Sequence, residues 1–133
     1  MIVIDASALA AALADDGAVG VAARDELEKD LHWAAPAHVR LEVVSALRGL
    51  VLGGKLAARR GSDAVRLLGE LEIDTVEPAG LVPRVWQLPH NLTAYDAAYL
   101  AAAEALQCAL VTGDARLQGV PGTRCAVTVI GET

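Results

Sequence analysis

Short apolar runs alternate with stretches of helical period along this chain. The first run, Ile2 to Ile4, is β-branched and reads as a buried strand. It stops on a carboxylate, Asp5. A helix carrying Leu9 and Leu13 follows, with Ser7 as a candidate cap, and stops near Asp15-Asp16-Gly17. A second helix is predicted over Ala18 to Lys29, then a strand around His32 to Ala34 ending at Pro36. Val39, Val43, Ala46, Leu47 and Leu50 recur at helical spacing and predict a long helix from Ala37 to about Leu52, ended by Gly53-Gly54. A helix from Ser62 to Leu71, with Ser62 as its cap, and a strand over Ile73 to Val76 come next. Leu81 to Leu88 reads as helical, because Pro83 falls in a first turn. Thr93 and Asp96 have capping-box spacing and open the helix "NLTAYDAAYLAAAEAL". Ala109 to Thr112 is a strand, Ala115 to Leu117 a turn of helix, and Ala126 to Ile130 the last strand. Strands alternating with helices predict one domain over 1–133, a helix-rich parallel-sheet α/β/α sandwich.

Composition agrees. Of 133 residues, 54% are apolar and mean hydropathy is +0.40, which suits a packed globular chain. Much of the apolar content is alanine, which favours close-packed helices. The most apolar stretch, "AAYLAAAEALQCALV", is broken by Glu104 and Gln107 and is too short to span a membrane. The start of the chain lacks the basic residues of a signal peptide and carries Asp5 where the apolar region belongs, so a cytoplasmic chain is expected. Cys108 and Cys125 have no metal-binding or redox spacing and read as reduced thiols packed as small hydrophobes.

A carboxylate between two core segments needs a partner, a proton or a metal ion. Most of the seventeen acids lie among polar residues or at turns, Asp63 in a first helical turn and Glu132 in a terminal tail. Asp5, Glu42, Asp96, Glu104 and Asp114 have apolar neighbourhoods instead. Asp5 and Asp114 each follow a buried-type strand, at the edge where open parallel sheets bind ligands. Asp96 sits near a helix start, and Glu42 at the margin of its helix's apolar stripe. Glu104 is eight residues after Asp96, about 12 Å along the helix axis, too far to share an ion. Each remaining acid fits a cap or a salt bridge by itself. Together the four have few cations placed to pair with them, Arg40 and Arg116 being the nearest. Gathered anions repel and take up protons unless a divalent cation intervenes, and oxygen donors without Cys or a clear His favour Mg²⁺ or Mn²⁺.

"VIDASALAAAL", "APAHVRLEVVSALRGL", "NLTAYDAAYLAAAEAL" and "LVTGDARL", in this order, resemble the PIN-domain ribonucleases, and most closely the VapC-type toxins of VapBC toxin–antitoxin pairs. The resemblance implies a Mg²⁺- or Mn²⁺-dependent endoribonuclease, dimeric and held inactive by a cognate antitoxin. The family's acidic positions fall on Asp5, Glu42, Asp96 and Asp114. Asp5, Asp96 and Asp114 would hold metal, while Glu42 would ligate or orient a water. Ser7 and Thr112 match small hydroxyl positions, with a supporting role in orienting a carboxylate or a water; for Ser7 a plain helix cap fits equally. Many relatives carry a further acidic or polar residue soon after the last aspartate, where this chain has Arg116 and Leu117. The antitoxin of such pairs often inserts an arm into the acidic groove, and a basic arm suits a net charge of −6.

That charge, with a pI near 4.9, opposes nucleic-acid binding through bulk electrostatics. Locally the balance reverses. Arg40, Arg48, Lys55, Arg59, Arg60 and Arg66 are six of eleven basic residues, against only Glu42 and Asp63 in the same span. They are candidate RNA phosphate contacts, or simply a solvated helix surface. His38 lies four residues before Glu42 and shares its face; a surface or capping role accounts for it. Trp33, Trp86, Tyr95 and Tyr99 read as packing residues, Tyr95 also as a neighbour of the site. A haloacid-dehalogenase-type phosphohydrolase also places Asp after its first strand but wants a second Asp two residues later, where this chain has Ser7. A receiver module lacks its late Lys here, and a dinucleotide-binding domain its GxGxxG. A non-catalytic α/β binding module remains a reading the residues allow.

Overall fold

A computed structural model describes residues 1–131; Glu132, read above as tail, lies outside the described residues. Its strands are β1 (Ile2–Ile4), β2 (Trp33–Pro36), β3 (Asp74–Val76), β4 (Ala109–Thr112) and β5 (Val127–Val129), and its helices α1 (Ala6–Ala14), α2 (Ala18–Glu28), α3 (Val39–Leu52), α4 (Ala58–Glu70), α5 (Val82–Gln87) and α6 (Ala94–Leu106). Single 3₁₀ turns cover Pro78–Leu81 and Ala115–Leu117. All strand pairs are parallel, in the order β3-β2-β1-β4-β5.

The sheet order explains where the site must lie. From β1 the chain steps outward through β2 to β3, then crosses back to β4 on the other side of β1. Right-handed crossovers therefore put α1 to α4 on one face and α5 with α6 on the opposite face. The contacts agree: α1 packs on α2, α3 and α4, while α6 packs on α5 and on β1, β2 and β4. The strand order reverses between β1 and β4, and a crevice opens beyond the carboxyl ends of those two strands. Val3, Ile4, Leu110 and Val111 bury completely in β1 and β4, so the first polar groups after them, Asp5 and Thr112, emerge at that crevice.

Alanine does its packing in α6, where every residue from Ala97 to Ala103 is buried. Small side chains let this helix lie close on the sheet while Tyr99 and Leu100 fill the larger gaps. At the α1–α2 corner the approach is closer still: a Cβ on Gly20 would sit 1.7 Å from the Asp15 carbonyl oxygen. Arg24 donates to the carbonyls of Ala12 and Asp15 and closes the C-terminal end of α1.

Three expected helix starts shift. The N-cap of α1 is Asp5, whose extended backbone and carboxylate serve the Ala8 N–H; Ser7 falls inside the first turn. Helix α4 begins at Ala58, and Ser62 lies within it, its hydroxyl turned back onto the Ala58 carbonyl. Arg59 and Arg60 are good helix formers, so propensity extends the helix past the serine that looked like a cap. The α3 start moves from Ala37 to Val39 because the Ala37 N–H is taken by the Val76 carbonyl at the end of β3.

Candidate active site

The crevice is built around Asp5. Its carboxylate is 5% exposed and accepts three hydrogen bonds. Oδ1 receives the Ser7 hydroxyl at 2.7 Å and the Ala8 N–H at 2.9 Å, and Oδ2 receives the Thr112 hydroxyl. Ser7 and Thr112 are themselves pinned by the loop after β4: Ser7 Oγ accepts from the Gly113 N–H and Thr112 Oγ1 from the Asp114 N–H, both at 2.9 Å. A side chain at 113 would press on this arrangement, with a Cβ 3.2 Å from Ser7 Oγ. The two hydroxyls thus splice the end of β1 to the end of β4. Both lone pairs of Oδ1 are occupied, whereas Oδ2 keeps one free.

Burial raises the Asp5 pKa, and the charge of Asp96 adds to it; the hydrogen bonds from Thr112, Ala8 and Ser7 oppose the shift without cancelling it. No cation pairs with Asp5 among the described residues.

Asp96 and Asp114 come from the other side of the crevice. Thr93 caps α6 through the Asp96 N–H, leaving the Asp96 carboxylate free of the cap. Asp114 caps the turn that follows β4 and is gripped by Arg116, which holds its pKa below the usual carboxylate range. The same guanidinium reaches within 4.0 Å of Asp96 Oδ2.

Glu42 is held differently. Its Oε1 accepts the Tyr99 hydroxyl at 2.8 Å. His38 Nε2 lies 3.1 Å from the same oxygen without being aligned to hydrogen-bond to it, and its ring packs edge-on against Tyr95 and Tyr99. Burial, then the bond to Glu42, drives the Tyr99 phenol pKa up, with smaller contributions from Asp5 and Asp96. Tyr99 and His38 were read from sequence as packing and as surface or cap; the signal available for Tyr99 was its position one turn after Asp96 on the helix.

The structure does not draw these acids into a finished cage. Among the described residues no three His, Cys, Asp or Glu side chains stand close enough to hold one ion as they are. The donor set nonetheless suits a hard divalent cation: oxygen ligands only, a buried unpaired carboxylate with one open lone pair, and like charges around it that a cation would relieve. Glu104, set aside from the sequence, is taken by Arg84 at 2.9 Å on the far part of α6.

The basic residues divide. Arg40 is committed to the Leu71 carbonyl at 2.6 Å, Arg60 pairs with Asp16 and Arg66 with Asp63. Arg48, Lys55 and Arg59 are exposed. A cleft of about 930 Å³ runs from Ser7 between α1 and α3 to Lys55 and Arg60. Among the described residues no single helix is long and apolar enough to cross a membrane.

Comparison with known proteins matches the PIN domain over residues 2–122. Ribonuclease VapC9 of Mycobacterium tuberculosis (strain ATCC 25618 / H37Rv) is 42% identical over 131 residues, 98% of each chain. Ribonuclease VapC1 of the same strain is 38% identical over 130 residues, 96% of each. The fold is similar to the crystal structure of PAE2754 from Pyrobaculum aerophilum, with a TM-score of 0.66 at 23% identity over 95% of this chain and 89% of that one. It is also similar to Mycobacterium tuberculosis VapC20, a toxin that cleaves the sarcin-ricin loop, with a TM-score of 0.65 at 17% identity over 90% and 96%. With its parallel sheet and its acids at the β1–β4 edge, the chain belongs to the PIN-domain family, among the VapC proteins.

Proposed function

We infer that this chain is an endoribonuclease, the toxin of a type II toxin–antitoxin pair, and that it hydrolyses RNA phosphodiester bonds with a divalent ion at the Asp5 crevice. The observation that carries the reading is the buried Asp5 carboxylate, clamped by one hydroxyl from the first turn of α1 and one from the end of β4, yet left without a cation and with one open lone pair. A salt-bridge or capping role alone does not call for that investment, since a cap would need only the Ala8 N–H.

Asp5 through Oδ2, Asp96 and Asp114 would hold the ion, Mg²⁺ or Mn²⁺, which supplies Lewis-acid activation of water and of the phosphate. Ser7 and Thr112 fix the direction in which Asp5 presents its free lone pair. Glu42, oriented by Tyr99, ligates the ion or orients the attacking water. Lys55 and Arg60, which line the same cleft as Ser7, neutralise phosphates of the bound strand, and Arg48 and Arg59 are further exposed cations for the same role. Arg40 contributes less, being spent on Leu71.

The partners are an RNA substrate, a cognate antitoxin and a second copy of the chain, in the cytoplasm. The face that suits a second copy is apolar: Val82, Trp86 and Tyr95 are 59%, 71% and 61% exposed beside a cleft of about 590 Å³. The deciding experiment is purified protein on total RNA with Mg²⁺, with Mn²⁺ and with EDTA, beside Asp5→Asn. Cleavage that needs the ion and disappears in a folded Asp5→Asn protein is expected. Full cleavage by Asp5→Asn removes the assignment, and no cleavage by either protein under any condition favours a non-catalytic binding module.

A further inference from the structure

The acidic crevice already contains a cation of its own. Arg116 makes four hydrogen bonds to Asp114: its N–H and Nε donate to Oδ1 at 3.0 Å each, while Nε and Nη2 donate to Oδ2 at 3.1 and 2.6 Å. Its Nη2 also stands 4.0 Å from Asp96 Oδ2. The guanidinium therefore spans two of the three carboxylates that would face a divalent ion. It does so from the surface, with its side chain 79% exposed, so it can swing out without disturbing the core.

We propose that Arg116 is an internal competitor for the metal site: it occupies Asp114 and the open side of Asp96, and a divalent ion gains Asp114 only by turning Arg116 outward. The inference rests on the reading of these acids as a divalent-ion site. Three observations support it. Asp5 has a single free lone pair and no cation, so an ion that settles there still needs Asp96 and Asp114 to complete its oxygens. Both Asp114 oxygens are already accepting two hydrogen bonds each, and a bidentate guanidinium–carboxylate pair is among the stronger surface interactions. No three acidic groups presently stand within reach of one ion among the described residues, as expected of a site closed on its own arginine.

Competition sets the metal affinity rather than the fold, so it is read by binding. Mn²⁺ is titrated into the purified protein at low ionic strength, and free ion is followed by electron paramagnetic resonance with no RNA present. Arg116→Gln should lower the half-saturating Mn²⁺ concentration about tenfold. Arg116→Lys, which keeps the charge but loses the fork, should fall between the two. Arg48→Gln removes an exposed charge on α3 and controls for the general effect of charge; it should leave the affinity within about twofold of the wild type. Equal affinity in Arg116→Gln and the wild type, or the same gain in Arg48→Gln, overturns the competition and leaves the ribonuclease reading standing. No saturable Mn²⁺ binding by any of these proteins overturns the metal site and the competition with it.

Discussion

The Tyr99 hydroxyl donates to Glu42 Oε1 at 2.8 Å, tying α6 to α3 across 57 residues of sequence. The phenol is 1% exposed, and its raised pKa keeps it a donor at every working pH. Glu42 is held by this bond and has no aligned bond from His38. Tyr99→Phe should therefore leave the fold intact and lower kcat for RNA cleavage about tenfold, the worth of one charge-assisted hydrogen bond. KM for RNA should not move. An unchanged kcat would show that Glu42 is oriented by something else.

Gly20 permits the α1–α2 corner. A Cβ there would meet the Asp15 carbonyl oxygen at 1.7 Å and its carbon at 2.6 Å, both backbone atoms that cannot step aside. Asp5 caps the other end of helix α1, so the strain would run toward the site. Gly20→Ala should cost about 3 kcal/mol in urea unfolding. A loss below about 0.5 kcal/mol would mean that the corner is looser than its geometry.

The sheet was legible in the chain because its signals are local, and the candidate acids were picked out by the same local signals. A β-branched run marks β1 and a short apolar run marks β4, with an acid directly after the first and one glycine beyond the second. Long-range pairing was not legible. Tyr99 meets Glu42, and Ser7 meets Gly113, only after the crossover from β3 to β4 brings α6 and the loop after β4 to the crevice where α1 and α3 begin. Ser7 illustrates the difference: next to a helix start it reads as a cap, yet Asp5 takes the cap and frees Ser7 to bridge two strands. Ser62 misled for a related reason, since a serine inside a helix satisfies its hydroxyl on the preceding turn.

Val82, Trp86 and Tyr95 expose large apolar area on one side of α5 and α6. If a second copy covers them, Trp86→Ser should convert a dimer to a monomer in sedimentation velocity, with the thermal midpoint of the monomer little changed. A monomeric wild type at micromolar concentration, or a Trp86→Ser protein that remains dimeric, would place the interface elsewhere.

Lys55 is exposed at the cleft end, whereas Arg60 shares its charge with Asp16. For single strands each phosphate neutralised contributes about 0.7 to the slope of log K against log salt. Lys55→Ala should flatten the slope of Asp5→Asn protein on a non-cleaved RNA by about that amount. Arg60→Ala should flatten it less, because Asp16 already offsets the charge. The pair Arg59→Ala and Arg60→Ala should weaken binding to all RNA sequences alike. Slopes that stay parallel to the parent protein would take the cleft out of the RNA path.

Asp5 links stability to pH and to metal. The folded, metal-free protein binds the Asp5 proton more tightly than the unfolded chain, where the ordinary value is 3.8. Its contribution is therefore fully present below pH 3.8 and is lost as pH rises through the raised folded value. Asp114 acts in the opposite sense, its lowered value giving stability above pH 3.8 that is lost on acidification, so a single melting curve cannot isolate Asp5. The difference from Asp5→Asn can. An amide at position 5 keeps acceptors for Ser7 and Ala8 and a donor for Thr112, but carries no charge to desolvate. In EDTA the two proteins should melt together near pH 3.5, and Asp5→Asn should melt about 3 °C or more higher at pH 7. Millimolar Mn²⁺ at pH 7 should raise the wild type more than the variant, which has lost one of the three carboxylates that would hold the ion. Melting curves that run parallel from acid to neutral pH, or an equal Mn²⁺ effect on both proteins, would mean that Asp5 is neither the strained charge nor the ion's ligand.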